Sequence, residues 1–275
     1  MVERVTITLK SDILKRLDKM VDKRNVRNRS HAIETLLSKA FSKTDIETAL
    51  ILAGGEGVNL RPITYEMPKA MIPINGRPIM EHQIEMLKKY DIRNLVISVG
   101  HMKEKVMEHF GNGSKSGVNI EYIIEDKPFG TAGCIGPAMQ FIRSDFIMIN
   151  VDTLMNPDIY EVYNFHKREG TIGTVLLSTS SEARNFGVAK MRGNKIIQFL
   201  EKPKNPASNI INAGMCIFSP EVSGYVKRQK FMIEELFTRL AKEDQLSGYV
   251  YDGFMADAGT HEGYEKAIKM MKGLK

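Results

Sequence analysis

The stretch Ala49-Leu-Ile-Leu-Ala-Gly-Gly-Glu-Gly-Val-Asn-Leu-Arg-Pro-Ile-Thr-Tyr-Glu-Met-Pro-Lys69 decides how this chain folds. Its first five residues are an apolar run that reads as a buried strand. Gly54, Gly55 and Gly57 follow at once. With no Cβ in the way, their backbone N–H groups can close on an anion. Open α/β sheets bind ligands at the carboxyl ends of their strands. Lys69, set by Pro68, supplies a cation, so the stretch reads as a phosphate-handling turn. It is not a Walker loop, which needs Gly-Lys-Ser/Thr after four spacers. Nor is it a dinucleotide fingerprint, because Leu60 stands where the third glycine belongs. By itself the segment is equally an ordinary strand–helix turn.

Outward from this turn the pattern alternates. Strands are expected at 48–53, 94–99, 119–124 and 145–150, and helices at 78–90, 102–110, 133–142 and 157–168. Ile79, Met80, Ile84, Leu87 and Tyr90, for instance, mark one helical face. Such alternation predicts an α/β fold with a mostly parallel sheet. From 171 the rhythm changes to strands, at 171–179, 186–191, 195–201 and 210–218, with a tight turn at Arg192-Gly193-Asn194. A helix at 231–242, a strand at 248–254 and a helix at 261–272 complete the domain, expected to run from 48 to 275.

Charge separates the N-terminal piece. Residues 1–43 hold 11 Lys+Arg against 5 Asp+Glu, while residues 44–275 hold 28 against 28. All the excess positive charge lies in the first 43 residues, which points to an acidic partner, nucleic acid first. Val5, Ile7 and Leu9 alternate with Arg4, Thr6 and Thr8, a half-buried strand. Ser11 reads as a helix N-cap ahead of Ile13, Leu14, Leu17, Met20 and Val21. Ser30 reads as a second N-cap ahead of Ile33, Leu36, Leu37, Ala40 and Phe41. Strand, helix and helix in 40 residues cannot close a core alone, but two copies can. Residues 2–42 resemble the ribbon-helix-helix repressors through Arg4-Val-Thr-Ile-Thr-Leu9, Leu17-Asp18 and Asn28-Arg-Ser-His-Ala-Ile33. The resemblance implies a homodimer or higher even oligomer whose two-stranded ribbon enters the major groove of duplex DNA. Arg4, Thr6 and Thr8 would face base edges, with Ser30 and His31 on a phosphate. The alternative is a plain dimerisation arm whose polar strand face meets water.

Residues 48–275 resemble the sugar-1-phosphate nucleotidyltransferases. The resemblance rests on Leu-Ala-Gly-Gly-x-Gly-x-x-Leu-Arg-Pro from Leu52, Pro68-Lys69, Pro128-Phe-Gly-Thr-Ala-Gly133 and Ile149-Asn-Val-Asp152. It continues in family order through Phe186-Gly-Val188, Glu201-Lys-Pro203, Asn212-Ala-Gly214 and Asp257-Ala-Gly-Thr260. It implies a Rossmann-like mixed sheet flanked by helices. It also implies attack of a sugar-1-phosphate oxygen on the α-phosphorus of a nucleoside triphosphate, giving an NDP-sugar and pyrophosphate. The attacker is already an anion, so alignment and charge dispersal are the task. The resemblance sets the nucleotide against Leu52, Ala53, Gly54, Gly55 and Gly57 on one side and Glu125, Gly130 and Thr131 on the other. Lys69 would act on the reacting phosphates, and Asp152 and Asp257 would hold Mg2+, a hard cation that takes oxygen ligands. Gly187, Glu201, Lys202 and Asn212 would receive the sugar phosphate. An ionised Glu125 only accepts hydrogen bonds, which favours the N1–H and N2–H edge of guanine; it reads equally as a solvated acid beside Asp126. Singly, Asp152 and Asp257 read as caps and the lysines as surface residues. Six further motifs, in family order after the glycine–lysine stretch, argue otherwise.

Two positions depart from the family. Asn59 stands where the family has an arginine facing the triphosphate, and Val151 stands where a glycine precedes the metal aspartate. Two readings follow: a transferase carrying a DNA-binding arm, or a catalytically impaired domain that senses a nucleotide or NDP-sugar and adjusts DNA binding. No apolar run of about 18 residues exists to span a membrane. No signal peptide opens the chain, and Cys134 and Cys216 have no metal-type spacing, so a reducing cytoplasm is expected.

Overall fold

The structure, a computed structural model, describes residues 6–21, 26–41, 44–227 and 230–273. The chain divides into two compact units, Met1–Lys43 and Thr44–Lys275. Among the described residues no helix is long and apolar enough to cross a membrane.

The first unit contains α1 (Ser11–Met20) and α2 (Arg29–Phe41). Leu17 of α1 and Ala32 of α2 are buried between them. Arg29 Nε and Nη2 hold both oxygens of Asp18 at 2.6 and 2.8 Å. Neither expected serine cap is used. Lys10 occupies the N-cap position of α1, which puts Ser11 inside the helix. At α2 the Asn28 side chain accepts the His31 N–H at 2.9 Å, and the Asn28 carbonyl accepts the Ala32 N–H. Asparagine two positions earlier outcompetes serine because it satisfies the orphan donors first. Among the described residues, 6–10 form no strand and Ile7 is as exposed as Thr6 and Thr8, so the half-buried strand expected there is not formed within this chain; a ribbon needs a second strand to pair with. Arg4 and Val5 lie outside the described residues.

The second unit is built on a nine-stranded sheet. Its parallel half holds β1 (Thr48–Ala53), β4 (Asn94–Val99), β5 (Asn119–Ile124) and β6 (Phe146–Asn150) in the order β5-β4-β1-β6. Strand β11 (Ile210–Phe218) then joins β6 antiparallel and β8 (Gly173–Thr179) follows. Beyond lie β12 (Leu246–Val250), β10 (Lys195–Glu201) and β9 (Gly187–Arg192). Two small sheets stand apart: β2 (Pro73–Ile74) with β3 (Arg77–Pro78), and β7 (Thr153–Met155) with β13 (Met255–Asp257).

Alternate residues of the central strands feed two cores. Ala49, Ile51, Leu95, Ile97 and Ile149 face one side, covered by α4 (Ile79–Lys88), α5 (Lys103–Phe110), α7 (Ile159–Glu169) and α9 (His261–Gly273). Leu50, Val96, Phe146 and Met148 face the other, covered by α6 (Ile135–Ala138) and α8 (Ile233–Lys242). Near-continuous apolar strands are the mark of a sheet covered on both faces. The short helix α3 (Ile63–Glu66) follows the glycine turn.

The chain leaves β1 toward β4 and β5, then returns to β6 on the other flank of β1. The carboxyl ends of β1 and β6 therefore border the crevice where open sheets bind ligands. The expected helix at 133–142 is only α6, a single turn flanked by turns at 131–134 and 139–141, and Gly133, Gly136 and Pro137 give the segment low helix propensity.

Candidate functional site

The glycine turn after β1 is held from behind. Gly54 carbonyl accepts the His101 N–H at 3.2 Å, and Gly57 carbonyl accepts the Thr64 hydroxyl at 2.7 Å. Among the described residues the N–H groups of Gly55, Glu56 and Gly57 donate to no acceptor. Three adjacent orphan donors at a strand end form an anion cradle. Gly57 has φ of +65°, and a Cβ there would lie 2.7 Å from Lys69 Cγ. Close approach of the Lys69 stem thus requires glycine at 57. Lys69 Nζ reaches Asp152 Oδ2 at 2.6 Å.

Asp152 follows β6 and Asp257 ends β13. The β7–β13 pairing sets Asp257 opposite Thr153, and the Ala258 N–H donates to the Asp152 carbonyl at 2.8 Å. The turn at Asp152 is also pinned from α4, where Gln83 Nε2 donates to the carbonyls of Asn150 and Thr153 at 2.8 and 2.9 Å. The two carboxylates face one small space. A Cβ built on Gly259 would lie 2.9 Å from Asp257 Oδ1 and 3.0 Å from Asp152 Oδ2. Burial first, and the negative charge of Asp152 next, push the Asp257 carboxyl above its ordinary range, against the Gly259 N–H, Lys69 and Lys202. Such a pair calls for a further cation.

Two cavities meet here, sharing Lys69, Thr131, Asn150 and Asp152 in their walls. The first, about 370 Å³, is lined by Leu52, Gly54, Gly55, Glu125, Gly130 and Thr131. The second, about 350 Å³, is lined by Gly57, Asn59, Gly187, Glu201, Lys202, Asn212 and Asp257. Of the expected site residues in this unit only Ala53 lines neither, because its side chain points into the core. Asn59 faces the second cavity.

Glu125 is engaged before any ligand arrives. Its two oxygens accept the Ser98 hydroxyl at 2.6 Å and the Phe129 N–H at 2.9 Å. Those bonds orient the carboxylate and leave lone pairs for a ligand. The loop bearing Gly130 and Thr131 is clamped to the chain before α8: Ala132 and Gly133 N–H groups donate to the Phe231 carbonyl, and the Ile233 N–H donates to Thr131 Oγ1. Cys134 lies under this cavity; burial, then the Glu125 charge, push its thiol up to about 12. It stays neutral. In the second cavity Lys202 holds φ of +43°, strain of the kind found at ligand sites. Asn212 spends its Oδ1 on the Gly214 N–H at 2.9 Å. Its amide nitrogen remains the donor for a ligand.

A family model for nucleotidyl transferase matches residues 48–272. The chain belongs to the nucleotidyl transferase family. A second model, ribbon-helix-helix protein of the copG family, matches residues 3–40. Mannose-1-phosphate guanyltransferase of Saccharomyces cerevisiae is 35% identical over 223 residues, covering 78% of this chain and 62% of that protein. The bifunctional protein GlmU of Methanococcus maripaludis is 35% identical over 77% of this chain and 51% of its own length. The chain thus spans about half to three-fifths of these relatives. A Bacillus anthracis protein described as a glucose-1-phosphate thymidylyltransferase, crystallised with sucrose, superposes with a TM-score of 0.75 at 30% identity, over 81% of this chain and 94% of that one. A UDP-glucose pyrophosphorylase complexed with UDP-glucose shares the fold, with a TM-score of 0.72 at 21% identity over 84% of this chain and 100% of that one.

The nucleotidyl transferase unit also uses residues that the sequence reading passed over. Gln83 is a polar residue on the apolar face of α4, and that mismatch was the available signal. Glu234, on the first turn of α8, lines the second cavity but reads in sequence as an ordinary acidic helix start.

The ribbon-helix-helix unit leaves Thr6 and Thr8 exposed. Ser30 lies inside α2, and the His31 N–H is already donated to Asn28. The Asn28 side chain thus already takes one of the N–H donors at this helix start.

Proposed function

We propose that residues 44–275 transfer a nucleotidyl group from a nucleoside triphosphate to a sugar-1-phosphate, and that residues 1–43 tie this activity to duplex DNA. The observation that carries the first part is the meeting of two cavities at Lys69 and the Asp152–Asp257 pair. The triphosphate lies along the N–H groups of Gly55–Gly57, with its base beside Glu125. The sugar phosphate lies against Lys202 and the Gly187 backbone. An oxygen of the sugar-1-phosphate forms a bond to the α-phosphorus while the α–β bridging bond breaks, and pyrophosphate leaves with the electron pair. No proton transfer is required. Lys69 leaves Asp152 for the reacting phosphates, where its charge is worth most.

The donor set fits Mg2+: two carboxylates facing one point, all-oxygen ligands, and no His or Cys lining the second cavity among the described residues. Asp152 and Asp257 would hold it, and when bound it neutralises phosphate charge and aligns the attack. Guanine is the base favoured by a carboxylate at Glu125, in keeping with the guanyltransferase relatives. In the ribbon-helix-helix unit Ile7, Ile13, Leu36 and Leu37 are 42–49% exposed, apolar surface that a second copy would cover. The paired strands would then present Thr6 and Thr8, with Arg4, to base edges.

A second reading is favoured by Asn59, which faces the cavity without a charge. Replacing a charge-stabilising donor costs on the order of 10²–10³ in rate. On that reading the unit binds nucleotide or NDP-sugar and biases the DNA-competent dimer by differential affinity. Pyrophosphate release with Mg2+, measured across nucleotides and sugar-1-phosphates for wild type and Asn59→Arg, separates the two. Turnover by the wild type supports the transferase. Turnover only in Asn59→Arg supports the sensor.

A further inference from the structure

The second cavity contains an acid that the transfer reaction does not use. Glu234 projects from the first turn of α8 and is half-buried. Among the described residues its carboxylate accepts no hydrogen bond and forms no ion pair; only its backbone carbonyl is engaged, by Thr238 Oγ1. It shares the wall with Glu201, whose only cationic contact among the described residues is Lys202 at 3.8 Å. Burial first, and the negative charge of Glu234 second, raise the Glu201 carboxyl above its ordinary range, with Lys202 opposing. The position of Glu234 is fixed by the fold, since the preceding Ile233 N–H is tied to Thr131 Oγ1 at 2.9 Å.

An unpaired, partly desolvated carboxylate beside another is costly unless something donates to both. Helix geometry does not require Glu234 to face inward. Its neighbour Glu235 supplies the same negative charge to the start of α8 from an exposed position, near Lys227 at 3.9 Å. The cations around the cavity have other work in the proposed reaction: Lys69 sits on Asp152, and Lys202 is on the phosphate side. Two acceptor-only groups are therefore left at the sugar end of the cavity.

We propose that Glu234 acts with Glu201 as a charge filter for the sugar, admitting hydroxyl-rich neutral or amine-bearing rings and rejecting rings that carry a carboxylate. This inference rests on the sugar-1-phosphate reading of the cavity. Hydroxyls and ammonium groups donate to the carboxylates. A uronic acid sets a third negative charge against two, and a site with unpaired like charges discriminates by repulsion as well as by attraction.

The test is calorimetric binding to the full chain with Mg2+, so it does not depend on turnover. Two matched pairs serve as probes, GDP-mannose with GDP-mannuronate and UDP-glucose with UDP-glucuronate, with GDP and UDP as sugar-free references. Wild type should bind each neutral sugar nucleotide about tenfold or more tighter than its uronate partner. Glu234→Gln should close most of that gap, mainly by improving uronate binding, and Glu235→Gln should leave it unchanged. Amine-bearing UDP-glucosamine should bind at least as well as UDP-glucose in wild type and lose its advantage in Glu234→Gln. The charge filter is overturned if the pairs bind alike in wild type, or if Glu234→Gln leaves the gap intact. If no sugar nucleotide binds better than its sugar-free reference, the sugar reading of the cavity falls and the filter falls with it.

Discussion

Adding one methyl group at Gly57 tests how the glycine turn and Lys69 depend on each other. Gly57 has φ of +65°, where alanine costs roughly 1–2 kcal/mol. Gly76, in the β2–β3 turn, has φ of +78° and the same backbone cost, but nothing lies within 4 Å of a Cβ there. At Gly57 the new methyl would meet Lys69 Cγ and Thr64 Cγ2, each at 2.7 Å. Thr64 is anchored by its hydroxyl bond to the Gly57 carbonyl, so the Lys69 stem must yield. Moving it breaks the 2.6 Å contact with Asp152 and withdraws the ammonium from the reacting phosphates. A hydrogen bond to a charged group is worth about 1.5–3 kcal/mol, hence a loss of roughly tenfold or more in nucleotide affinity. Gly76→Ala should lower the calorimetric melting midpoint by about 2–8 °C, from the backbone term alone, and leave titration with Mg-GTP unchanged. Gly57→Ala should lower the midpoint further and weaken Mg-GTP at least tenfold. Equal behaviour of the two variants in both assays would refute the claim that this glycine exists to admit Lys69.

Other outcomes follow from the same geometry. Burial raises the Asp257 carboxyl above the ordinary carboxylate range in the fold, so the folded state holds that proton more tightly than the unfolded chain. Without metal, stability should therefore fall as pH rises from the ordinary carboxylate range through the raised value. Asp257→Asn should remove that slope, and Mg2+ should reverse it in the wild type, both seen in melting midpoints across pH. Gln83→Leu leaves the Asn150 and Thr153 carbonyls without their donor and should cost about 1–3 kcal/mol in chemical denaturation. The same variant should weaken metal binding by loosening the Asp152 turn. Replacing Thr6 and Thr8 together by alanine should relax the sequence preference of duplex DNA binding while leaving its salt dependence intact, measured by selection from random duplexes.

Much of this architecture was legible in the chain itself. Strands β1 and β4 stand where their apolar runs end, at 53 and 99, because strands buried on both faces need such runs, while the edge strand β5 mixes buried and exposed residues up to 124. What escaped was short or set by distant partners. The β7–β13 pair brings Asp257 beside Asp152, yet each strand has three residues and no period to detect. Strand β12 was expected at 248–254 and runs Leu246–Val250, because its Ser247 hydroxyl is buried against Thr171 and Thr174 and so reads as polar in sequence. The cap at Asn28 and the inward turn of Glu234 likewise depend on which donor or cavity lies nearby, which spacing does not encode. The glycines, Lys69 and the two aspartates stand out in the sequence through the ordered motifs of the family resemblance, and the fold brings them together.

The proposed transfer turns on one divalent ion shared by Asp152 and Asp257 at the triphosphate. Mn2+ can stand in for Mg2+ and reports its ligands by electron paramagnetic resonance. With GTP present, the full chain should bind one Mn2+ in an oxygen-only environment, and Asp152→Asn and Asp257→Asn should each abolish that signal while the protein stays folded. Retention of the same Mn2+ spectrum in either variant would contradict it.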